Sequence, residues 1–286
     1  MKIGFIGAGK VGFTLAKYFT ANGLDVRGFF SLHETSADEA ARFTNTRAYE
    51  TIEEIVSDCD VLFLTVPDGR IAQVFDEIRR LKIENKIVCH CSGALCAGDA
   101  FAGIAETGAY GYSVHPLFAV SDRYHAYEEL PDVFFALEGS AEKLEDVRGM
   151  LTGVGLTVQV IRPESKVKYH AAAVMGSNLV VGLARQSLLL LEECGFSEEN
   201  ALKALGPLML GNMKHVTEDG PVKSLTGPVE RNDTGTVEKH LACLDDEYVR
   251  GLYVMLSEAV VEIAKLRHPD GDYSLMERIL KGETEK

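Results

Sequence analysis

The stretch Lys2–Gly12 reads Lys-Ile-Gly-Phe-Ile-Gly-Ala-Gly-Lys-Val-Gly and decides the expected fold. It starts as a short apolar strand and then gives the spacing G-x-G-x-x-G with Gly7, Gly9 and Gly12. Helical spacing follows, and a second apolar strand is predicted at Leu24–Phe30. The glycine pattern alone is weak evidence, but between a strand and a helix it is typical of a dinucleotide-binding turn.

Each glycine of this turn has its own physical reason. Gly7 allows a tight turn, Gly9 lets a pyrophosphate approach the backbone, and Gly12 lets the helix pack close to the strand. The helix N-terminus, with Lys10 and Val11 in its first turn, offers unpaired N–H groups and a positive dipole end to the phosphates. We therefore expect these five residues to bind the cofactor. The alternative interpretation is a glycine-rich turn in some other α/β protein.

Composition limits the possible functions. The chain has 286 residues, 46% hydrophobic and 25% charged, which is typical of a globular protein long enough for two domains. Its net charge of −14 argues against nucleic acid or an anionic membrane as a partner. The longest apolar run, Ala171–Ala184, is expected to be too short to span a bilayer.

Cysteine spacing and the start of the chain suggest a compartment. The six cysteines show no disulfide or zinc spacing, so we expect reduced thiols and no bound metal. No signal peptide is expected, because the first strand begins next to the initiator Met. Both features favour a cytoplasmic protein.

Strands alternate with helices as far as Pro163. This alternation predicts an α/β fold, a doubly wound parallel Rossmann sheet that forms an NAD(P)-binding domain over residues 1–163. The predicted strands after the first unit are Thr46–Tyr49, Val61–Val66, Lys86–Cys91, Tyr110–Val114, Val133–Leu137 and Thr157–Ile161. The predicted helices between them are Ala37–Phe43, Ile52–Val56, Ile71–Leu81, Ala97–Thr107 and Glu142–Val154.

No strand signal follows, so residues 164–286 are predicted to form an all-α domain for substrate binding and dimerisation. Its first helix, Ser165–Cys194, is apolar on nearly all sides and is expected to be the buried centre of the domain. A helix at Asn200–Met213 and a loop at Lys214–Asn232 should follow. Further helices are predicted at Asp233–Leu244, Glu247–Leu266 and Leu275–Leu280. This much apolar helix surface predicts a homodimer through the C-terminal helices.

Several segments carry a family resemblance. They are Gly7–Gly12, Val66–Asp68, His90–Ala94, Ser113–Leu117, Tyr169–Asn178 and Leu225–Pro228. With them the chain resembles Rossmann-like NADP-dependent oxidoreductases that carry an α-helical C-terminal domain of unknown function. It is more distantly similar to pyrroline-carboxylate reductases, to hydroxyacid and 6-phosphogluconate dehydrogenases, and to prephenate-type dehydrogenases. The resemblance implies a Rossmann domain joined to a helical, usually dimer-forming domain, but no particular substrate.

The end of the second strand bears on the choice of cofactor. NAD-specific sites place an acidic residue there for the ribose 2′-hydroxyl. Here the strand ends in Ser31-Leu32-His33, and no carboxylate comes before Glu34. Ser31 and His33, together with Lys10, are left to bind a 2′-phosphate, so NADP is favoured over NAD.

The carboxyl ends of later strands should surround the nicotinamide. The backbone of Val66 and Pro67 and the small residue Ser92 are predicted to contact this part of the cofactor. His115 ends the sixth predicted strand in a His-Pro context that resembles the catalytic histidine of prephenate-type dehydrogenases. Since imidazole titrates near neutrality, His115 could exchange the substrate proton. The alternative is a structural histidine before a rigid proline.

The first helix of the second domain adds His170, Ser177 and Asn178. At about 100° per residue these side chains share one side of a helix, with Lys166 one turn earlier. Together with His115 they are the predicted catalytic set. Each of them also has a purely structural explanation, such as satisfying buried backbone groups or capping.

The expected function is an NADP-dependent oxidoreductase. It would transfer hydride between the nicotinamide and a small, anionic carbonyl or imine compound bound between the domains. One alternative is a non-catalytic NADP-binding sensor, for which separate burial of His115 and His170 would speak. Another is a deazaflavin-dependent NADP reductase, because similar N-terminal domains occur in such enzymes.

Overall fold

The computed structural model describes residues 1–283. The chain divides into two compact units, unit 1 at Met1–Ser177 and unit 2 from Asn178 onward. The predicted domain boundary after residue 163 lies before the division between these units. The difference is the helix Lys166–Gly176, which belongs to unit 1 with the sheet.

Unit 1 is built on one sheet of eight strands in the order β3-β2-β1-β4-β5-β6-β7-β8. This order and the helices between the strands confirm the predicted Rossmann-type α/β fold. The strands are β1 Lys2–Ile6, β2 Asp25–Phe30, β3 Arg47–Ala48, β4 Val61–Leu64, β5 Ile87–His90, β6 Tyr110–Pro116, β7 Phe134–Gly139 and β8 Thr157–Val160.

One strand pair corrects the expectation of a wholly parallel sheet. β6 and β7 are antiparallel, with Val114 opposite Leu137 and Ser113 opposite Glu138. The connection between them contains only the 3₁₀ segment Ala126–Asp132. A parallel pair needs a crossover, usually a helix, whereas a plain loop can return the chain antiparallel.

The helices of unit 1 are α1 Lys10–Ala21, α2 Glu34–Thr44, α3 Ile52–Asp58, α4 Asp68–Ile78, α5 Ala97–Ala100, α6 Leu144–Gly153 and α7 Lys166–Gly176. The predicted helix Ala97–Thr107 is wrong as a single element. α5 stops after one turn, and a 3₁₀ segment follows at Ile104–Thr107. Gly103 separates them with φ of +77°, a left-handed conformation that a helix cannot contain.

A cluster of aromatic rings centred on Phe5 fills the core on one face of the sheet. The Phe5 ring stacks on Phe29 and Phe63 at centroid distances of 5.4 and 5.3 Å, and Phe19 of α1 covers it. β1 and β4 are buried on both faces, as parallel strands usually are. The packing fixes β1, α1 and β4, and with them the turns at their carboxyl ends.

Unit 2 contains helices α8 Asn178–Glu193, α9 Glu198–Asp219, α10 Pro221–Ser224, α11 Thr234–Cys243, α12 Glu247–Arg267 and α13 Ser274–Leu280. The predicted loop at Lys214–Asn232 is wrong in its first part, because α9 continues to Asp219 with Pro207 inside it. A small core forms where α11, α12 and α13 meet, around Val237, Val261 and Met276.

The predicted single helix Ser165–Cys194 is also wrong. It breaks at Ser177, where the backbone leaves helical geometry (φ −129°, ψ −79°) and the hydroxyl donates to the carbonyl of Ala173. The expectation that it forms a buried centre fails as well, because no residue of α8 is buried and Val181 is 71% exposed. By length and composition alone, the stretch Pro163–Glu193 could cross a membrane, because an 18-residue window within it has a mean hydropathy of 1.4. The run Ala171–Ala184 alone did not indicate this.

Candidate active site

The turn between β1 and α1 has the geometry that its glycines require. Gly7 adopts φ of +106°, and its N–H donates to the carbonyl of Phe30 over 2.8 Å. Thr65, after β4, donates its hydroxyl to the carbonyl of Gly7 over 2.7 Å. A Cβ atom on Gly12 would lie 2.6 Å from the same hydroxyl, so only glycine lets α1 approach β4 this closely.

Gly9 leaves the start of α1 open to a ligand. It is the N-cap residue and provides no side-chain cap, so the first N–H groups of α1 have no capping acceptor. A Cβ atom on Gly9 would meet only the carbonyl of Thr65, at 3.7 Å. Lys10 is exposed and Val11 half-buried. The turn therefore fits an anionic group such as a pyrophosphate.

Ser31 and His33 lie just beyond the carboxyl end of β2, beside the glycine turn of β1. The Ser31 hydroxyl accepts a long hydrogen bond of 3.4 Å from the N–H of His33, while Leu32 is exposed. His33 is the N-cap of α2, so backbone N–H groups of that helix begin here as well. The position suits a phosphate that reaches past the end of β2.

Ser92 connects the loops after β4 and β5. Its hydroxyl donates to the Asp68 carboxylate over 2.6 Å and accepts from the N–H groups of Ala94 and Leu95. Pro67 caps α4 just before Asp68, so the Val66–Pro67 backbone is held near this junction. The Ser92 side chain therefore fixes the loop. The predicted cofactor contacts of Val66, Pro67 and Ser92 stay predictions.

His115 and His170 come together over Gly93. A Cβ atom on Gly93 would lie 2.5 Å from Nδ1 of His170 and 2.9 Å from Nε2 of His115. The two rings are nearly perpendicular, with centroids 6.0 Å apart. Nδ1 of His170 is buried and has no hydrogen-bond partner among residues 1–283. Two imidazole nitrogens thus point at the end of β5, where only a glycine leaves room for them.

Tyr169 holds the other nitrogen of His115. Its hydroxyl lies 2.9 Å from Nδ1, and the two rings meet edge to face. Burial lowers the pKa of His115 to about 4, and the positive charges of Lys166 and His170 lower it in the same direction. His115 is therefore neutral at physiological pH.

Lys166 is fully buried beneath this cluster. Its ammonium donates to the Ser113 hydroxyl over 2.7 Å. Burial lowers its pKa to about 8, against the attraction of the Glu138 carboxylate. Glu138 faces Ser113 across the β6–β7 pair and accepts from the N–H of Ala97 through Oε1, while burial raises its pKa. Its Oε2 has no partner in the part of the chain that the structure describes.

Ser177 and Asn178 stand at the break between α7 and α8. Ser177 is exposed, and its hydroxyl donates to the carbonyl of Ala173 over 2.6 Å. Asn178 is the first residue of unit 2. Their place in one site with His115 stays a prediction.

Sequence reasoning missed three members of the cluster: Tyr169, Ser113 and Glu138. It placed Lys166 on the correct side of the helix but gave it no role. A signal for Tyr169 existed, since it adjoins His170. Glu138 and Ser113 become neighbours only through the antiparallel pairing of β6 and β7. Within residues 1–283 no group of three or more His, Cys, Asp or Glu side chains could hold a metal ion.

Family models match both parts of the chain. A Rossmann-like domain matches residues 1–116. DUF2520, a domain of unknown function, matches residues 133–260. Together these matches confirm the resemblance drawn from the sequence motifs.

Solved structures share the fold over nearly the whole chain. Protein TM1727 from Thermotoga maritima is 28% identical, with 92% of this chain and 98% of that chain covered and a TM-score of 0.75. BF3122 from Bacteroides fragilis, named as a candidate NADP oxidoreductase, is 22% identical over 91% and 98%, with a TM-score of 0.69. A pyrroline-5-carboxylate reductase from Coxiella burnetii is 16% identical over 93% and 97%, with a TM-score of 0.58.

Proposed function

We propose that this chain, which joins a Rossmann-like domain to a DUF2520 domain, is an NADP-dependent oxidoreductase. It would transfer hydride between the nicotinamide and a small, anionic carbonyl or imine compound. The activity named for BF3122 agrees with this proposal. The observation that carries it is the convergence of His115 and His170 on Gly93, at the sheet edge that also holds the glycine turn.

Two groups of residues would have separate roles, one in binding the cofactor and the other in binding the substrate. The open N-terminus of α1 and Gly9 would hold the pyrophosphate of the cofactor, which when bound supplies or accepts hydride. Above Gly93, His115 and His170 would bind the reacting oxygen or nitrogen atom of the substrate and exchange its proton. The buried ammonium of Lys166 adds positive potential behind them, which favours negative charge on that atom and on the substrate.

A non-catalytic NADP sensor is less well supported. That alternative would expect the two histidines in separate cores, whereas their ring centroids are 6.0 Å apart. An orphaned imidazole nitrogen in a polar cluster is costly to keep unless it binds something. No particular feature of residues 1–283 favours a deazaflavin-dependent reductase.

NADP is the proposed cofactor, with NAD as the weaker ligand. Ser31 and His33 lie at the end of β2 without a carboxylate before Glu34, so a 2′-phosphate meets donors and no repulsion. Calorimetric titration should give tighter binding of NADPH than of NADH. Equal affinities, or tighter binding of NADH, would contradict this choice.

A homodimer through the C-terminal helices is part of the proposal. α8, α11 and α12 border an apolar cavity of about 650 Å³. Leu179 and Val181 of α8 are 57% and 71% exposed. A helix of a second copy would cover this surface, because a monomer rarely keeps so large an apolar patch in water. Light scattering should give twice 31.2 kDa. A monomer, or binding to lipid vesicles instead of self-association, would contradict the dimer.

The function is tested by following NADPH consumption with small 2-oxo acids, ketones and cyclic imines. Turnover should depend on His115 and His170, whereas NADPH affinity should not. A protein that binds NADPH but turns over none of these compounds would favour the sensor instead.

A further inference from the structure

We infer that Tyr169 holds His115 in the neutral tautomer that carries its proton on Nε2, so that His115 presents a fixed donor to a carbonyl oxygen and His170 exchanges the proton. The tautomer of His115 is a property of the protein alone. The roles of His115 and His170 toward the substrate oxygen and its proton rest on the proposed function.

The tautomer follows from the hydrogen bond between Tyr169 and His115. The phenol hydroxyl has one partner among residues 1–283, Nδ1 of His115 at 2.9 Å. Burial raises the pKa of Tyr169, so its proton stays in place. A half-buried O–H donates to the acceptor that it has, and Nδ1 must then carry the lone pair. Since the ring is neutral, its proton is on Nε2.

Nε2 is the nitrogen that faces Gly93. It lies 2.9 Å from the position of a Cβ atom there and makes no hydrogen bond within residues 1–283. A neutral N–H group in this place donates to an acceptor, but it is a poor source of a transferable proton, because loss of that proton would leave an imidazolate. His115 is therefore suited to hold the developing negative charge on an oxygen atom.

His170 provides the complementary atom. Its Nδ1 is buried, has no hydrogen-bond partner within residues 1–283 and lies 2.5 Å from the same point. In the reducing direction, hydride adds to the carbonyl carbon and the C=O π pair moves to oxygen. The oxygen then takes a proton from Nδ1 of His170 in its imidazolium form, which becomes a neutral imidazole with the lone pair on Nδ1 and is reprotonated from solvent. The product hydroxyl accepts from His115 and donates to His170, so both nitrogens are satisfied.

The same arrangement disfavours an iminium ion. An iminium N–H is itself a donor and carries a positive charge, so it would face the N–H of His115. Lys166 adds a second cation, since a pKa of about 8 keeps its ammonium protonated at neutral pH. Glu138 offsets part of that charge, but burial raises its own pKa and weakens the offset. A carbonyl oxygen, by contrast, would accept a hydrogen bond from His115 and would be stabilised by the positive potential of Lys166.

The tautomer can be read directly by long-range ¹H–¹⁵N NMR of protein labelled at histidine. His115 is assigned by its loss in His115→Asn. The expected spectrum shows a protonated Nε2 and an unprotonated Nδ1 between about pH 5 and about pH 8. In Tyr169→Phe this preference should collapse to a mixture of tautomers.

Tyr253→Phe is the matched control, because Tyr253 makes the same 2.9 Å contact with Nδ1 of His240 in unit 2. It should change the signals of His240 and leave those of His115 as they are. A wild-type His115 protonated on Nδ1, or a His115 unaffected by Tyr169→Phe, would overturn the inference.

The substrate step is tested with NADPH and three probes: 2-oxobutanoate, cyclohexanone and pyrroline. A carbonyl probe should turn over at least about tenfold faster than the imine, and His170→Asn should abolish turnover while the His115 tautomer persists. Preference for pyrroline, or full activity in His170→Asn, would refute this step. Failure to bind NADPH would instead refute the proposed function and this step with it, without changing the NMR result.

Discussion

Two histidine–tyrosine pairs in this molecule have nearly the same geometry. His115 and Tyr169 in unit 1 are joined by a 2.9 Å contact, with ring centroids 5.7 Å apart and planes at 84°. His240 and Tyr253 in unit 2 show 2.9 Å, 5.7 Å and 89°. The geometry of a histidine–tyrosine pair therefore does not by itself identify which of the two is part of an active site.

Their surroundings differ. His115 lies at a sheet edge beside Gly93, a second imidazole and the buried ammonium of Lys166, and its pKa falls to about 4. His240 and Tyr253 border a cavity whose surface is mainly apolar, with leucine and valine side chains of α8 and α12 among its lining residues. The histidine–tyrosine pair of unit 1 thus lies beside the Lys166 ammonium and the unpartnered Nδ1 of His170, whereas the pair of unit 2 lies beside apolar surface. Chemistry is expected only from the first.

Gly93→Ala should have the largest effect. The new methyl group would sit 2.5 and 2.9 Å from the two imidazoles, closer than carbon and nitrogen can approach, so both rings must move. Turnover should fall by about 10³-fold or more, because the hydrogen-bond donor His115 and the proton-exchanging His170 both leave their positions. NADPH consumption by purified variants measures this loss.

Gly251→Ala is the matched control near the second pair, because a Cβ atom there meets nothing within 4 Å. It should leave turnover within about twofold and stabilise α12 by somewhat less than about 1 kcal/mol. Equal losses in the two variants would mean that the histidines over Gly93 have no special role.

His115→Asn should lower turnover by about 10²–10⁴-fold with NADPH affinity nearly unchanged, as expected for loss of a group that acts only on the substrate. His240→Asn removes the corresponding ring of the other pair and should change turnover less than about twofold. Steady-state kinetics and calorimetry on the two variants separate binding from chemistry. Similar effects in both would break the distinction between the pairs.

These two pairs also show what the sequence could predict. The glycine turn is local, so spacing within Lys2–Gly12 was enough to predict the dinucleotide-binding unit. His115 and His170 were expected at one site because each has a local signal, a strand end or a helix face. Gly176 precedes the break at Ser177, but a single glycine inside an apolar helical pattern is tolerated, so the sequence predicted a continuous helix.

Lys166 and Glu138 mark the limit of that reasoning. Lysine and glutamate are rarely fully buried, and no neighbouring sequence pattern predicts that Lys166 and Glu138 are buried. Their burial depends on α7 packing with the sheet and on the antiparallel turn of β7, which bring distant residues together. Such contacts are tertiary, and single-sequence periodicity does not contain them.

Lys166→Met should stabilise the protein while damaging the site. The folded pKa of about 8 lies below the unfolded value of 10.5, so the folded state binds fewer protons between these two pH values. The free energy of unfolding of the wild type should therefore rise with pH across that window, by about 3 kcal/mol, and the variant should lack this rise. Urea denaturation at several pH values measures both.

Lys265→Met in unit 2 is the contrast. Hydrogen bonds to Glu277 and Glu262 raise the pKa of Lys265, so its contribution is present at neutral pH and is lost as pH rises through the folded pKa. The two lysine variants should differ from the wild type in opposite directions. A stability curve of Lys166→Met parallel to that of the wild type would contradict the lowered pKa of Lys166 in the folded state.

The pH profile of turnover should show the titration of Lys166 but not that of His115. His115 is neutral above about pH 5, since its pKa is about 4, and should produce no inflection near the ordinary histidine value. Lys166 loses its charge as pH rises through about 8, so turnover of an anionic carbonyl substrate should fall about fivefold between about pH 8 and about pH 9. Tyr253→Phe should leave this limb in place. An inflection near pH 6.5 that disappears in His115→Asn would show that His115 does titrate during turnover.

The smallest effect should come from the cofactor's ribose. Ser31→Ala removes a hydroxyl whose only described contact is a long one of 3.4 Å, so the hydroxyl is free to meet a 2′-phosphate. NADPH affinity should fall about fivefold and NADH affinity should stay the same. Ser187→Ala, which removes a hydroxyl beside the cavity of the second pair, should change neither affinity.

Leu32→Arg should strengthen NADPH binding, because an exposed position at the end of β2 would gain a bidentate cation. Stronger binding of NADH in that variant would place the ribose elsewhere.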